Sequence, residues 1–353
     1  MQVGRLKNIM KKIAVVGTYG VGADFTTGQA VKCYTLINWL KEKYGNEEVI
    51  IVNTYQWRKN PIKLLANSFF ALKNCSNIVI MPAQNGIKVF APLFYYMNKL
   101  FHRSIHYIVI GGWLAEMLED TPKLKKCIKL FDGVHVEAKS MQKELENLGF
   151  NNIFYMPNSR EYVPGIHHPR NEEVSVKVCT YSRVIKEKGI EDAAAICEAA
   201  NLKLGKKVFG LDIIGKIAGE YQSEFEELLA ENKDFVRYTG CKNSDETLGT
   251  LSDYFALLFP TFYEGEGFAG TVLDAFAAKL PIVANDWKYN AEIVSDGVNG
   301  FIYPYRDLNM AAEILVKLYR DKNLYQRIQN SCNQSAMRYS TTAVMAGFCE
   351  MLR

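Results

Sequence analysis

Short apolar runs alternate along the chain with stretches whose apolar residues recur every three or four positions. KKIAVVG (11–17) is an apolar run ending in glycine, and QAVKCYTLINWLKEKYG (29–45) has helical spacing and a glycine stop. VIIVNT (49–54), NIVIMPA (77–83), HYIVIGG (106–112), GVHVEA (133–138) and IFYMPNS (153–159) read as further strands. KVFAPLFYYMNKLF (88–101) and KSMQKELENLGF (139–150) read as helices between them. Strands of this kind, apolar on both faces and separated by helices, predict a parallel sheet covered on both sides.

The series pauses at SREYVPGIHHPRNEEVS (159–175), which is rich in Pro, His and charge and reads as a linker. A second series follows. Strands are predicted at 176–182, 207–215, 236–240, 254–261 and 300–304, with helices in GIEDAAAICEAANLKL, EYQSEFEELLAEN, DETLGTLSD and LNMAAEILVKLYRD. The 353 residues, 48% hydrophobic, suffice for two cores. The expected architecture is α/β, with two Rossmann-like domains whose parallel sheets face a cleft. The first domain covers 1–160 and the second 161–337, with a terminal helix near 338–353 packing back on the first. Ligands of open α/β sheets bind beyond the carboxyl ends of the strands.

Charge sharpens this division. Residues 1–160 hold 21 Lys and Arg against 11 Asp and Glu, a balance of +10, whereas 161–353 hold 21 against 27, a balance of −6. The first half is therefore expected to face something anionic. Eight scattered cysteines form no CxxC pair and sit at no metal-ligand spacing, so they read as reduced, mostly buried thiols of a cytoplasmic protein. The basic start MQVGRLKNIMKK lacks the apolar core of a signal peptide. No apolar run is long enough for a membrane span.

The densest chemistry lies in EGEGFAGTVLDAFAAKLPIVAND, from Glu264 to Asp286. A glycine-rich loop that opens a helix presents free N–H groups and a positive dipole end, which suits phosphate. Glu266 lies on that loop and repels phosphate, so it is expected to face a neutral, hydroxyl-bearing part of the same ligand. Asp274, eight residues on, could meet hydroxyls at the other end of that ligand. Hydroxyls, phosphates and hydroxyls in that order describe a sugar nucleotide. Glu264 reads as a solvated loop acid.

These residues carry a resemblance. Glu266-Gly267-Phe268-Ala269-Gly270, Leu273-Asp274-Ala275, Pro281-Ile282-Val283-Ala284, Glu292-Ile293-Val294, Asp296-Gly297 and Gly300 together resemble the signature of family 4 retaining glycosyltransferases, of the bacterial surface-polysaccharide type and the GT-B fold. Ser182-Arg183 through Lys188-Gly189 resembles the family's Arg and Lys segment, Tyr238-Thr239-Gly240 its loop near the base, Pro157-Asn158 the end of its first domain, and Thr27-Gly28-Gln29 its first helix opening. The resemblance implies a catalytic set of Glu266, Arg183 and Lys188, with the two cations on the donor diphosphate and Glu266 on the donor sugar. It implies donor-binding roles for Gly28, Gly240, Phe268, Ala269, Gly270, Thr271 and Asp274, the last on the ribose. It implies a front-face route in which the leaving phosphate takes the acceptor proton, without a side-chain nucleophile. No metal and no cofactor are expected beyond the nucleotide-sugar donor, a UDP-sugar above others. The expected acceptor is a glycan or lipid-linked molecule, and no nucleic acid partner is expected.

The chain departs from the pattern in places. Asp274 stands where the family usually has Glu, Lys288-Tyr289 replaces a pair of glycines, and Val109-Ile110-Gly111-Gly112-Trp113 lacks a frequent histidine. His102, His106 and His135 are assigned no catalytic role, and His167-His168 reads as exposed linker. No Asp-x-Asp occurs, which argues against the metal-dependent GT-A type. Two other readings compete. One is a non-catalytic sugar-nucleotide or glycan-binding module on the same fold. The other is an NAD-dependent dehydrogenase, which leaves 264–300 unexplained; Gly17-Thr18-Tyr19-Gly20-Val21-Gly22 also lacks the GxGxxG spacing. Finally, 57–73 and 90–103 interleave bases with aromatics, including Trp57, Phe69, Phe70, Phe94, Tyr95 and Tyr96. Most of these are expected in the core, and the rest could lie on an anionic bilayer at the inner face of the membrane.

Overall fold

The computed structural model describes residues 12–19, 28–161, 176–243 and 245–352. The basic start, Gly20 to Thr27, and most of the linker with His167 and His168 lie outside the described residues. The chain divides into two compact units. One is Met1–Pro157 with Val344–Arg353, and the other is Asn158–Ala343.

In the first unit, β1 (Ile13–Gly17), β2 (Val49–Asn53), β3 (Asn77–Ile80), β4 (Ser104–Ile108), β5 (Gly133–Val136) and β6 (Ile153–Tyr155) form a parallel sheet in the order β2-β1-β3-β4-β5-β6. Between them run α1 (Gly28–Tyr44), α2 (Pro61–Asn74), α3 (Gln84–Phe101), α4 (Leu114–Glu119), α5 (Pro122–Lys129) and α6 (Lys139–Asn147). Every residue of β1, β3, β4 and β5 is buried. That is why these strands read as continuous apolar runs rather than alternating ones.

The second unit contains β7 (Lys177–Tyr181), β8 (Gly210–Ile214), β9 (Val236–Gly240), β10 (Ala256–Phe259), β11 (Ile282–Asn285) and β12 (Gly300–Tyr303). They pair in parallel in the order β12-β11-β10-β7-β8-β9. Its helices are α7 (Ile190–Leu204), α8 (Gln222–Glu231), α9 (Thr247–Ser252), α10 (Gly270–Ala277), α11 (Asn290–Ile293), α12 (Leu308–Arg320) and α13 (Lys322–Arg338). The strand order reverses between β7 and β10, whose register pairs Ala256 with Val178 and Leu257 with Cys179. The loops leaving these two strands therefore open the crevice in which open α/β sheets bind ligands.

Helix α13 supports the helix beside that crevice. The Tyr339 ring meets Phe268 edge to face at 5.1 Å, and Cys332 Sγ lies 3.6 Å from the Leu280 carbonyl oxygen just beyond α10. The last helix, α14 (Thr341–Glu350), sends Met345, Phe348 and Cys349 into the core of the first unit beside Ile13, Leu36 and Val79. All eight cysteines are free thiols, and Cys241 alone is exposed.

Candidate active site

The site grows from the two loops at the β7/β10 reversal. After β7 the chain runs through Ser182 and Arg183 into a 3-10 turn, Lys186–Lys188, and then Gly189. Gly189 has φ +70°, and a Cβ there would lie 2.3 Å from the Pro260 carbonyl oxygen. Only glycine permits both the backbone angle and the approach. The loops then join: Phe262 N–H donates to the Glu187 carbonyl oxygen at 2.8 Å, and Thr261 Oγ1 lies 3.3 Å from the same oxygen.

That junction brings Lys188 onto Glu266. The Lys188 ammonium pairs with Glu266 Oε2, and Thr261 Oγ1 donates to the same carboxylate oxygen at 2.9 Å. The two charged side chains are only 9% and 11% exposed. Burying two ions costs several kcal/mol each and is regained only with good geometry. An apolar pair would fill the space at no such cost, so the pair points to chemistry rather than stability. Thr261 is itself fixed, because Asn285 Nδ2, at the end of β11, donates to its carbonyl oxygen at 2.9 Å.

Tyr263 lies between the cations of the first loop. The Arg183 guanidinium is 5.2 Å and the Lys188 ammonium 5.0 Å from its ring centroid. The Trp287 indole N–H and the Glu266 backbone N–H both donate to the Tyr263 carbonyl oxygen, at 3.1 and 3.0 Å. Arg183 is exposed, unlike Lys188. Glu264 is mostly exposed and pairs with Lys288 at 2.7 Å.

Helix α10 opens at Gly270, with Ala269 as its extended cap residue. Its first amides, those of Gly270 and Thr271, belong to the turn that has no intrahelical acceptor. Phe268 and Ala269 are buried, and the Phe268 carbonyl oxygen accepts from Asn158 Nδ2 at 3.1 Å. Thr271 Oγ1 donates to the Tyr181 carbonyl oxygen at 2.8 Å, tying the helix start to the end of β7. Burial pushes the Tyr181 phenol above its ordinary value, against the lowering effect of its 2.8 Å hydrogen bond to Thr247 Oγ1. Asp274 accepts from Arg160 Nε at 2.7 Å. The Arg160 guanidinium also reaches the Ser159 carbonyl oxygen, and one of its terminal nitrogens would lie 1.8 Å from a Cβ at position 270. Gly270 is thus the residue that lets this cation sit against the helix start.

Glu266, Lys188, Arg183 and the 268–271 turn accordingly belong to one crevice. Gly240 ends β9 with φ +84°, and its carbonyl oxygen accepts from the Gly215 N–H at 3.0 Å. Gly28 opens α1 of the first unit and is exposed. Sequence reasoning passed over Arg160, Thr261, Tyr263, Asn285 and Trp287. Thr261 and Tyr263 flank the motif directly, but the partner of Asp274 lies 114 residues away and carries no local signal.

The first unit carries its own buried ion pair beyond the strand ends. Lys32 of α1 meets Glu137, just past β5, at 2.5 Å, and it also donates to the Val109 carbonyl oxygen at 3.2 Å. Glu137 accepts from the Gly111 N–H at 3.3 Å, so the pair holds the turn that follows β4. His106 and His135 are buried side by side, with 3.1 Å between Nδ1 and Nε2. Burial, then the neighbouring His106 and Lys32, lower the pKa of His135 to about 3.

Residues 167–334, within the second unit, match the family model of glycosyl transferases group 1. The chain is 26% identical over 195 residues to the GtfA subunit of a UDP-N-acetylglucosamine–peptide N-acetylglucosaminyltransferase of Streptococcus gordonii, covering 53% of this chain and 37% of that protein. It is 26% identical over 149 residues to the amylovoran biosynthesis glycosyltransferase AmsK of Erwinia amylovora, covering 40% and 36%. The chain thus matches little more than a third of either relative. Among solved structures, HepE of Anabaena in complex with UDP superposes with a TM-score of 0.73 at 14% identity, covering 97% of this chain and 99% of that one. The chain has the GT-B fold, and the stretch that resembles group 1 glycosyl transferases lies in its second unit.

Proposed function

We propose that the chain is a retaining, metal-independent glycosyltransferase that moves a sugar from a UDP-sugar to a glycan or lipid-linked acceptor. The observation that carries this is the buried Lys188–Glu266 pair, with Arg183 beside it, at the strand-order reversal of the second unit, whose sequence is similar to group 1 glycosyl transferases. Lys188 has three N–H donors and gives one to Glu266, so two remain for phosphate oxygens. Arg183 is exposed and adds a planar, permanent cation. Together they offset the charge that develops on a departing nucleoside diphosphate, the task a metal performs elsewhere. Glu266, held by Lys188 and Thr261, accepts hydroxyls of the donor sugar. Asp274, with one oxygen on Arg160, keeps acceptor capacity for the ribose, since a carboxylate offers about four sites.

In the reaction, the bond between the anomeric carbon and the phosphate oxygen breaks, and the acceptor oxygen bonds to that carbon on the same face. The acceptor hydroxyl proton passes to the departing phosphate oxygen, so no side-chain nucleophile is required. UDP as the nucleotide is supported by the UDP-N-acetylglucosamine in the name of the Streptococcus gordonii relative and by the UDP complex of the Anabaena structure. The name of the Erwinia amylovora relative supports a role in surface-polysaccharide synthesis. The proposed setting is the cytoplasm, at the inner face of the membrane.

A thermal-shift panel of UDP-, GDP-, dTDP- and CDP-sugars tests the reading, because a ligand that binds only the folded state raises Tm with its affinity. UDP-sugars are expected to raise it, with UDP release on adding acceptor and no loss of activity in EDTA. A chain that no nucleotide sugar stabilises has some other function.

A further inference from the structure

Between Glu48 and Glu116 the chain has no acidic residue at all. At its average content, with 38 acids in 353 residues, such a stretch would carry about seven. It carries seven Lys and Arg instead. This stretch builds α2 and α3, and both helices leave large apolar side chains outside. On α2, Leu64, Ser68, Ala71 and Leu72 face the core, yet Ile62 is 79% and Phe70 56% exposed, with Leu65 and Phe69 also outside. On α3, Tyr96 is 63% and Leu100 72% exposed. The helix is therefore apolar on two sides, one more than a surface helix needs. Lone exposed apolar residues mean little, but apolar groups gathered on two neighbouring helices mark an interaction surface.

The two helices are joined firmly. Phe69 meets Phe101 edge to face at 5.1 Å, and the Arg103 guanidinium bonds the carbonyl oxygens of Leu72 and Lys73 at 2.8 and 3.1 Å. Asn60 caps α2 by accepting from Lys63 N–H at 3.1 Å, with Pro61 as its first residue. Exposed lysines stand among the apolar groups: Lys63 and Lys73 on α2, and Lys99 on α3, over the rings of Tyr95 and Tyr96 at 5.0 and 5.2 Å. We propose that this α2–α3 face docks on an anionic lipid bilayer, with the apolar side chains entering the acyl boundary and the lysines meeting the headgroups. Charge alone would also suit RNA, but a nucleic acid surface has no use for exposed Ile62, Phe70 and Leu100. A bilayer interface takes up such groups, with tyrosine and lysine at the headgroup level. The inference rests on the reading above for its setting, and on the surface of the first unit for its content.

The test is co-sedimentation of the full chain with vesicles of phosphatidylcholine alone and of phosphatidylcholine with 30% phosphatidylglycerol, at low and high salt, with UDP thermal shift read in parallel. Binding is expected to anionic vesicles only and to fall with salt, since exposed charges are screened beyond about 8 Å at physiological ionic strength. The triple variant Lys63→Glu, Lys73→Glu, Lys99→Glu is expected to bind at least about a hundredfold more weakly, at about fivefold per lysine removed. Phe70→Ser with Leu100→Ser is expected to lose roughly tenfold or more, from lost apolar burial. Both variants change exposed residues, and a far-UV circular dichroism spectrum and thermal melting of the full chain that match wild type show that they remain folded. A wild-type chain that responds to UDP but fails to pellet with any vesicle overturns the docking surface and leaves the transferase reading standing. Binding to single-stranded RNA that survives Phe70→Ser with Leu100→Ser, without vesicle binding, overturns it in favour of a nucleic acid.

Discussion

Replacing Lys188 by Met separates the two tasks of the buried pair. The variant keeps the length of the side chain and removes the ammonium that pairs with Glu266. Glu266 then stays about nine-tenths buried, with Thr261 Oγ1 still donating at 2.9 Å. Removing one partner of a buried ion pair costs about 3–5 kcal/mol. The retained Thr261 hydrogen bond and the residual exposure place this case at the lower end, about 3 kcal/mol. For a unit of this size, Asn158–Ala343, each kcal/mol moves Tm by about 2–4 °C, so the second unit should melt about 6–12 °C lower. Scanning calorimetry of the full chain reads the shift.

The companion variants complete a cycle. Glu266→Gln alone leaves Lys188 buried without its carboxylate and should cost a similar amount. The double variant Lys188→Met, Glu266→Gln has neither charge to desolvate and should recover part of the summed loss, costing about 3–4 kcal/mol where additivity requires about 6, a coupling energy of about 2–3 kcal/mol. UDP affinity should not recover with it, because the cation that meets the diphosphate is still missing. Strict additivity of the two single losses would refute the claim that the charges hold one another. Full recovery of UDP affinity in the double variant would refute the role of Lys188 on the phosphates.

Other residues give independent tests. Arg183→Ala should weaken UDP binding by about 1–3 kcal/mol, as for one charge-assisted hydrogen bond, and leave Tm unchanged because the side chain is exposed; titration calorimetry measures the first and scanning calorimetry the second. Gly189→Ala should destabilise the second unit by more than about 1 kcal/mol, since its Cβ would meet the Pro260 carbonyl oxygen at 2.3 Å with φ at +70°; urea unfolding reads it. Asp274→Asn should weaken UDP and UDP-sugar binding alike, whereas Glu266→Gln should lower turnover more than nucleotide affinity. His135 titrates at about 3 when folded and near 6.5 when unfolded, so the unfolded chain takes up its proton first. The stability this neutral histidine provides is complete above about pH 6.5 and falls by up to about 1.4 kcal/mol per pH unit toward pH 3, a slope that His135→Asn should flatten.

The strands were the most legible part of the chain. β9 lies at 236–240 as expected, and β1, β7 and β12 differ by two residues or fewer at each end. Strands buried on both faces leave an unbroken apolar run, which few other structures produce. The run at 106–112 misled by extending too far: β4 is Ser104–Ile108, and Val109 and Ile110 continue apolar after the regular ladder ends. Helix α2 escaped notice for the reason that makes its surface informative. PIKLLANSFFALKN is apolar on both sides, so no single stripe stands out. Helix α13 escaped for the opposite reason, since KNLYQRIQNSCNQSAMR is mostly polar and buries only a narrow stripe through Leu324, Ile328 and Cys332.

Legibility of the site followed distance along the chain. The 264–270 loop and α10 are one continuous segment, so their glycines and acids announce a ligand by themselves. Pairing across the chain leaves no such mark. Lys188 and Glu266 lie 78 residues apart, and they meet only because β7 and β10 are neighbours at the reversal of strand order. Asp274 and Arg160 lie 114 apart, and Lys32 and Glu137 lie 105 apart. Lys32 and Arg160 read as ordinary surface charge until the fold places a carboxylate against them, and Lys188, expected on the diphosphate, carries no mark in the sequence of its pairing with Glu266. Both units hold such a pair in near-complete burial beyond their strand ends, Lys32 with Glu137 in one and Lys188 with Glu266 in the other. Stability does not favour two desolvated ion pairs over apolar packing. The position of Lys188 and Glu266 at the strand-order reversal, where open α/β sheets bind ligands, accounts for one, and the turn after β4 that Lys32 and Glu137 hold accounts for the other.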